Sequence, residues 1–399
     1  MYWFELGREF KLSVAEIYAF FPMWKIVYFW EKILILDEVS KEDIETFSRR
    51  CGGVIKIFLV EKVLKTATFS ALVDLSFDFL SAGKETWKLK YGVNVFWKST
   101  ISLRNFVPKL KAKFKEAEMS SRFLNQDFQN LSSAIILWEK LAASKSDINI
   151  VYGDRWIYFW PTIWVQDINA YSKRDFGKKR DMEVWMLPPK LSQTMIQLAA
   201  WNKKSFRLYD PFCWLGTVLI ESILMGNEEV YGSDLQPAMV EATMQNLDFI
   251  EENFETPAVK SAVMVHDAKK VQDCKIMKDI KVDVIVTEWY LWELFTHRDI
   301  TFEKVAEERK KLELLYKDFF SGLSRVRFKG TIVISFPFWD IHGKNIYFFE
   351  VYDIIKRYCN IEKLLPTGLT IKESLSGSLF YRRSNQVVGR EIFKLKIKM

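Results

Sequence analysis

The segment that decides the fold is Arg207-Leu-Tyr-Asp210-Pro-Phe-Cys-Trp214-Leu-Gly216-Thr217, just past the middle of the chain. Its apolar start predicts a short strand that ends in a carboxylate, and its end predicts a tight turn into a helix. In doubly wound α/β folds, ligands bind at the carboxyl ends of the strands, against the N-termini of the following helices. The segment therefore predicts one edge of a ligand site on a parallel sheet.

The same pattern continues on both sides of this segment. Short apolar strands are predicted at residues 206–209, 230–232, 262–265, 282–287 and 331–335, with helices between them. Such alternation is typical of a parallel, doubly wound sheet with helices on both faces. The predicted fold class is therefore α/β, with a doubly wound, mostly parallel sheet in the C-terminal half.

Two further strands of this set also end in an acid. Asp234 ends Val230-Tyr-Gly-Ser-Asp234, and Asp267 follows the next strand in His266-Asp267-Ala268. A single aspartate at a strand end is most often a helix cap. Three in register favour a nucleoside pocket, in which Asp234 is placed to hold a ribose diol.

A fourth element is Asp283-Val-Ile-Val-Thr287-Glu288-Trp289-Tyr290-Leu-Trp292, a predicted strand followed at once by polar and aromatic residues. An aromatic side chain there can stack on a flipped base, while a carboxylate or backbone carbonyl accepts a hydrogen bond from the base amine. Aromatic packing at a strand end is the alternative. The other three elements favour the base site.

The N-terminal half predicts smaller units. Over the first 60 residues, the order strand–helix–strand–strand–helix–strand suggests a ferredoxin-like fold. A second α/β unit follows, and a polar segment rich in Lys and Arg predicts a linker. The predicted domains are 1–62 (ferredoxin-like), 63–165 (second α+β unit), 166–185 (linker) and 186–399 (Rossmann-like).

Composition bounds the class of protein. With 399 residues, 49% hydrophobic and 27% charged, the chain is expected to fold into two or three domains. We expect no signal peptide and no transmembrane helix, because apolar runs are short. Four scattered cysteines without CxxC spacing predict neither disulfides nor a metal site, and fit a cytoplasmic protein. The net charge of +7 permits a polyanionic partner without demonstrating one.

Several segments carry a resemblance to one family. The chain resembles the THUMP-domain tRNA guanosine N2-methyltransferases, the family that modifies guanosine ten of tRNA and has a Rossmann-like methyltransferase domain. The matching segments cover most of the chain: Leu6-Gly-Arg-Glu9, Val165 to Gly177, Met186-Leu-Pro-Pro-Lys190, Asp210-Pro-Phe-Cys213, Tyr231-Gly-Ser-Asp234, Thr287-Glu288-x-Tyr290-Leu and Tyr381 to Glu391.

The resemblance implies S-adenosylmethionine as cofactor and methylation of an exocyclic guanine N2 amine in tRNA. It implies that Asp234 binds the ribose hydroxyls, that Asp267 binds the adenine amine and that a loop from Asp210 contacts the cofactor. The implied cofactor residues are Asp210, Pro211, Phe212, Cys213, Trp214, Gly216, Thr217, Asp234, Leu235, Asp267 and Ala268. The target amine is expected at a motif that other N-methyltransferases write as (D/N)-P-P-Y, here Thr287, Glu288, Trp289 and Tyr290.

The resemblance also implies that residues 63–165 form a THUMP-like RNA-binding domain. This domain and the linker are expected to contact tRNA or another structured RNA, in a protein that we expect to be a monomer. The residues predicted to contact RNA are Lys109, Lys113, Arg122, Lys173, Arg174 and Lys190. From the residues alone, the lysines of segment 109–115 fit a solvated helix as well as an RNA-contacting face, since alternate positions do not share one helical side.

The chain departs from the family pattern at glycine positions. Trp214 and Trp292 stand where glycine is expected, and Trp97, Trp160, Trp164 and Trp185 stand where a small residue is expected. The chain has 16 glycines and 15 tryptophans, whereas about 28 glycines would be average. One hypothesis is a genetic code in which UGA encodes glycine, since translation of UGA as tryptophan would explain both deviations.

Other functions stay open at this point. One alternative is a catalytically degenerate relative that keeps its fold and its grip on RNA, which the tryptophan at position 214 favours. Another is an amine methyltransferase that acts on rRNA guanine or on DNA adenine, although a THUMP-like unit would serve no purpose on DNA.

Overall fold

The computed structural model describes residues 1–21, 26–30, 32–83, 88–96, 101–152, 156–177, 186–201, 203, 205–288, 295–296 and 298–399. Contacts divide the chain into two compact units. The first contains Met1–Arg8, Trp24–Ser48 and Val54–Ala170, and the second contains Glu9–Met23, Arg49–Gly53 and Tyr171–Met399. None of the helices in the described ranges combines the length and apolar character needed to cross a bilayer.

The elements alternate along the chain much as the sequence predicts. The helices are α1 (Phe10–Phe20), α2 (Lys41–Arg50), α3 (Phe69–Ser81), α4 (Leu103–Glu116), α5 (Ser133–Trp138), α6 (Leu141–Ser144), α7 (Ile168–Gly177), α8 (Pro189–Ala200), α9 (Thr217–Leu224), α10 (Pro237–Asn253), α11 (Lys275–Asp279), α12 (Phe302–Arg325) and α13 (Phe349–Tyr358). Short 3₁₀ helices occupy Gln126–Phe128 and Ala268–Asp273.

The strands belong to three sheets. They are β1 (Tyr2–Leu6), β2 (Ile26–Trp30), β3 (Ile33–Leu36), β4 (Val54–Leu59), β5 (Lys62–Leu64), β6 (Leu89–Phe96), β7 (Ser121–Phe123), β8 (Asp147–Tyr152), β9 (Ile157–Trp160), β10 (Thr162–Val165), β11 (Arg207–Asp210), β12 (Glu229–Asp234), β13 (Lys260–Val265), β14 (Val284–Glu288), β15 (Thr331–Ile341), β16 (Lys344–Ile346), β17 (Cys359–Ile361), β18 (Leu379–Tyr381) and β19 (Val388–Ile397).

The first sheet has the order β10-β4-β1-β3-β2, and all its neighbours are antiparallel. The order β4-β1-β3-β2 is that of a ferredoxin-like sheet. A ferredoxin-like domain limited to residues 1–62 stays a prediction. Residues 162–165, which the sequence analysis placed in the second domain, instead form β10 at the edge of this first sheet. That pairing joins strands about 100 residues apart, and no local pattern signals it.

The second sheet has the order β5-β9-β8-β6-β7, with β6 parallel to both β7 and β8. Helices α3 and α4 contribute Leu72, Phe106 and Phe114 to its core, together with Tyr91 and Ile148 of the sheet. Helix α3 begins after Thr68, whose hydroxyl accepts a hydrogen bond from the Ala71 amide. The identity of this mixed sheet as a THUMP-like domain stays a prediction.

The third sheet lies in the second unit and has the order β13-β12-β11-β14-β15-β19-β17. Strands β11 to β15 pair in parallel, whereas β19 runs antiparallel between β15 and β17. This arrangement confirms the predicted doubly wound, mostly parallel sheet. Its buried residues, such as Tyr209, Ile285 and Ile334, share one core with Phe319 of α12.

Two helices correct the predicted domain limits. Helix α1 belongs by its contacts to the second unit, although it lies within the segment assigned to the ferredoxin-like domain. There the buried carboxylate of Glu16 accepts hydrogen bonds from the amides of Gly52 (2.7 Å) and Gly53 (2.8 Å) and from the Thr194 hydroxyl (3.1 Å). Helix α7 occupies much of the predicted linker 166–185, of which residues 178–185 are outside the described ranges.

Candidate active site

Three carboxylates meet at the carboxyl edge of the third sheet. Strand β11 ends at Asp210 and β12 ends at Asp234, while Asp267 comes two residues after β13. The register pairs Asp210 with Gly232 and Asp234 with Val265, so the strand ends follow one another along the same edge. The predicted alignment of these three acids is therefore present in the structure.

A cavity lies between the ends of β12 and β13. Asp234 and Asp267 both line it, and so do four more of the residues expected to bind cofactor: Pro211, Phe212, Leu235 and Ala268. The cavity is also lined by four residues that the sequence did not indicate: Gln236, His266, Lys269 and Leu315. The first three are sequence neighbours of the two aspartates, whereas Leu315 comes from α12 and had no local signal.

Backbone amides hold the Asp234 carboxylate against this cavity. Its Oδ1 accepts a hydrogen bond from the Gln236 amide (2.9 Å) and its Oδ2 accepts one from the Trp214 amide (3.1 Å). Each oxygen has a second lone pair for another donor. Burial raises the pKa of Asp234, against these hydrogen bonds. A fixed carboxylate at this position can accept hydrogen bonds from the two hydroxyls of a ribose.

The loop between β11 and α9 adopts backbone conformations that suit glycine. Gly216 has a φ of +78°, and a Cβ there would come within 2.8 Å of Thr243 Cγ2. Trp214 has a φ of +49°, in the left-handed region that bulky residues rarely adopt. Two residues of α10 hold the loop by hydrogen bonds. The Thr243 hydroxyl donates to the Trp214 carbonyl, and Asn246 Nδ2 donates to the Leu215 carbonyl (3.0 Å).

Among the described residues, five that were predicted to bind the cofactor do not line this cavity. They belong to this loop or to its ends: Asp210, Cys213, Trp214, Gly216 and Thr217. Cys213 and Thr217 are buried, and Trp214 is half-buried. Their contact with a cofactor stays a prediction.

Asp210 joins the cofactor loop to the predicted catalytic motif. Thr287 Oγ1 donates a hydrogen bond to Asp210 Oδ1 (2.6 Å), and the Phe212 amide donates to the same oxygen (3.1 Å). Asp210 is 2% exposed, and burial raises its pKa to about 7, with a further increase from the neighbouring Asp234 and Glu288 carboxylates. Residues distant in the sequence therefore share one acidic site.

The Glu288 carboxylate forms an ion pair with the guanidinium of Arg390 on β19. Burial raises the pKa of Glu288, and the positive charge of Arg390 opposes that rise. Arg390 lies within a segment that resembles the family, but the sequence alone indicated no role for it. Trp289, Tyr290 and Trp292, which the sequence did indicate, are outside the described residues.

The predicted RNA contacts of the first unit differ in exposure. Lys109 on α4 and Arg122 on β7 have exposed side chains. Lys113 is about one-third exposed and forms a 2.6 Å ion pair with Asp74. Lys109 and Arg122 are therefore better placed than Lys113 to meet a phosphate.

The predicted RNA-contacting residues on or near α7 also differ in exposure. Arg174 is buried in an ion pair with the fully buried Glu221 (3.2 Å), which does not fit the predicted contact with RNA at the surface. Lys173 is exposed and donates to the Asn253 carbonyl (3.0 Å), and Lys190 lies 4.9 Å from the ring centre of Tyr171. Arg174 lies in a polar segment, so the sequence suggested an exposed side chain. Its buried partner Glu221 is brought close only by the fold.

The raised pKa of Asp210 predicts a pH-dependent stability. The folded chain keeps a proton on Asp210 up to about pH 7, whereas the unfolded chain releases it near the ordinary aspartate pKa of 3.8, so stability falls as pH rises between these values. Asp210→Asn should remove this contribution, which amounts to at most about 4 kcal/mol. Urea denaturation at pH 5, 6, 7 and 8 measures it. Asp283→Asn is the control, because the pKa of Asp283 is lowered by its hydrogen bonds from Arg207. If the free energy of unfolding changes with pH by the same slope in Asp210→Asn and in the unaltered chain, the prediction is contradicted.

Known proteins that are similar to this chain are methyltransferases. Residues 178–337 match the family model described as the RMKL-like methyltransferase domain. The tRNA (guanine(10)-N2)-dimethyltransferase of Methanothermobacter thermautotrophicus is 38% identical over 192 residues, which are 48% of this chain and 44% of that protein. The chain thus aligns with less than half the length of this curated relative.

Among solved structures, TrmN from Thermus thermophilus aligns over 100% of both chains, with 14% identity and a TM-score of 0.51. At this identity the likeness concerns the fold. The family match, in turn, covers β11 to β14 and the first half of β15, and so includes Asp210, Asp234 and the Thr287-Glu288 strand end. Residues 178–337 of this chain are therefore similar in sequence to an RMKL-like methyltransferase domain, and the described strands within them belong to a Rossmann-like sheet.

Proposed function

We propose that this protein is an S-adenosylmethionine-dependent methyltransferase that acts in the cytoplasm, as a monomer, on the exocyclic N2 amine of a guanosine in tRNA. The observation that carries the proposal is the cavity lined by Asp234 and Asp267 at the sheet edge where the Thr287-Glu288 strand also ends. The named activity of the archaeal relative, which is 38% identical over the aligned part, supports the choice of tRNA guanine.

The side chains that are present fit this cofactor. Asp234 has lone pairs for the ribose hydroxyls, and Asp267, half-exposed at the start of its 3₁₀ helix, keeps one carboxylate oxygen for an adenine amine while the other accepts from the Lys269 amide (2.9 Å). Leu235, largely exposed, and Ala268 offer apolar surface for a flat base. Trp214 is the feature that fits least well, because a large side chain stands in a loop that the cofactor is expected to approach closely.

The bound cofactor supplies an already activated methyl group on its sulfonium. The chain then has to position the guanine amine in line and to exclude water, which are the main contributions that such a transfer requires. Glu288 is held by Arg390 at the strand end and can accept a hydrogen bond from the amine. Asp210 already accepts a hydrogen bond from Thr287 and serves to connect β11 with β14.

Incubation with unmodified tRNA and methyl-labelled cofactor tests the function. We expect label in tRNA, and digestion to nucleosides should place it on guanosine N2. Label in rRNA or in DNA adenine would redirect the substrate. Binding of tRNA without any transfer, in both the unaltered chain and its Trp214→Gly variant, would favour a degenerate relative.

Asp234→Asn should weaken cofactor binding about 10- to 100-fold, because hydrogen bonds to a charged group contribute about 1.5–3 kcal/mol. Calorimetric titration of S-adenosylmethionine measures the change, in the unaltered chain and in the Trp214→Gly background. Asp273→Asn is the matched control, since Asp273 is exposed on the 3₁₀ helix after Asp267 and is not part of the cavity lining. Equal affinities of the two variants would rule out the assigned role of Asp234.

We also propose that the natural residue at position 214 is glycine, as UGA recoding implies. Trp214 with its φ of +49° supports this, and so does Trp201 at the end of α8, whose φ of +56° and ψ of −137° belong to a region that is almost exclusive to glycine.

A further inference from the structure

We propose that an aromatic surface at the carboxyl edge of the third sheet binds an unpaired base of the RNA substrate. This surface, the aromatic platform, consists of Phe338, Tyr347, Phe349 and Phe380. The proposal rests on the proposed function, because it names the part of the RNA that this domain recognises. None of these residues belongs to the cavity or to the ion pair of Glu288.

The four rings of the platform contact one another in one cluster. Phe338 lies 5.7 Å from Tyr347 and 5.3 Å from Phe380, measured between ring centres, and Tyr347 lies 5.5 Å from Phe380. Phe349 extends the surface at 6.1 Å from Tyr347. Phe338 is buried as the floor, Tyr347 and Phe380 are half-buried, and Phe349 is 59% exposed. A large exposed aromatic side chain next to other rings is typical of a binding surface.

The floor of the platform is built into the sheet. Phe338 on β15 pairs with Gly389 on β19, and a Cβ at Gly389 would come within 2.1 Å of Phe338 Cζ. Only glycine lets the ring lie this close to the neighbouring strand. The ring is therefore held in place before any ligand arrives, which lowers the entropic cost of binding.

The platform lies on the side of the sheet that carries the candidate active site. In the parallel register, Glu288 pairs with Ser335 of β15, and Phe338 is three residues further toward the carboxyl edge. Strand β16 runs back antiparallel to β15, and Phe349 at the first turn of α13 contacts Tyr347, which packs on Phe338. An RNA whose target base reaches the end of β14 would thus pass near these rings.

The charges around the platform favour a polyanion. Two nearby acids are neutralised, because Asp340 pairs with Arg382 (2.6 Å) and Glu350 with Arg309 (2.9 Å), whereas Asp353, one turn after Phe349 on α13, is exposed. Lys344, between Phe338 and Tyr347 in the sequence, is exposed and lies 6.0 Å from the ring centre of Phe302, another exposed aromatic residue. Aromatic rings that stack bases, with cations close by for phosphates, are the usual means of holding unpaired nucleotides.

Phe349→Ala should therefore weaken the binding of unmodified tRNA about 5- to 100-fold, the range expected for loss of one stacked base. Fluorescence anisotropy with end-labelled tRNA at one fixed salt concentration measures it. Phe349→Trp should retain the affinity and Phe349→Leu should lose it, because leucine keeps apolar area without a flat ring. Leu314→Ala, a change at a residue 63% exposed on α12, is the matched control and should leave affinity unchanged.

The outcomes separate the platform from the proposed function. Transfer and tRNA affinity that are unchanged in Phe349→Ala would overturn the platform and leave the methyltransferase assignment intact. Failure of the unaltered and Trp214→Gly chains to bind tRNA at all would overturn both. If the surface instead covers a second copy of the chain, Phe349→Ala would change the sedimentation coefficient without changing tRNA affinity, and that result would also overturn the proposal.

Discussion

The Trp214→Gly variant is expected to bind S-adenosylmethionine at least about tenfold more tightly than the unaltered chain. A bulky residue disfavours the positive-φ conformation of this loop by about 1–3 kcal/mol, and tenfold in affinity corresponds to about 1.4 kcal/mol. The strain lowers affinity because the unliganded loop can leave the conformation that the cofactor requires. The loop backbone here donates to Asp234 itself, so any change in its path moves the carboxylate that should hold the ribose. Calorimetric titration of both proteins at one temperature measures the difference.

The control for this prediction is Trp214→Ala, which removes the indole and keeps a Cβ in the left-handed conformation. Glycine should exceed alanine in affinity, because alanine relieves the bulk but not the backbone strain. Equal affinities for the glycine and alanine proteins would attribute the effect to bulk alone. The gene offers an independent check, since recoding predicts UGA at Trp214 and Trp292, and UGG at both positions would exclude it.

Arg390→Met is expected to destabilise the fold by about 3–5 kcal/mol, because it leaves the Glu288 carboxylate without a partner. Arg390 is 7% and Glu288 20% exposed at the side chain, so water compensates only in part for the lost charge. Urea denaturation at pH 7 measures the loss. Arg309→Met, which breaks the more exposed pair with Glu350, is the matched control and should cost less.

The double variant Arg390→Met with Glu288→Gln decides whether charge is the cause. With no buried charge left unpaired, most of the stability should return, while methyl transfer should stay impaired if Glu288 receives the target amine. A double variant as unstable as Arg390→Met alone would show that the arginine acts through packing. Recovery of both stability and transfer would remove Glu288 from the proposed mechanism.

The sequence by itself determined the local elements and the line of acids. The strands of the third sheet lie close to their predicted positions, because a short apolar run between polar turns suits a buried parallel strand. Asp210, Asp234 and Asp267 share an edge for a topological reason: strands that alternate with crossover helices all point the same way. The chain order of such units therefore fixes where their carboxyl ends meet.

Only the tertiary structure decided which distant residues share a partner. Glu16 of α1 accepts hydrogen bonds within the second unit, and β10 pairs with β4 at the edge of the first sheet. Arg174 forms a buried ion pair with Glu221, and Arg390 of β19 forms an ion pair with Glu288. Each of these contacts joins parts of the chain that are far apart in sequence, so no periodicity or spacing records them. A charged side chain carries the same local signal in water as in a buried pair, and the difference arises when the fold removes the water.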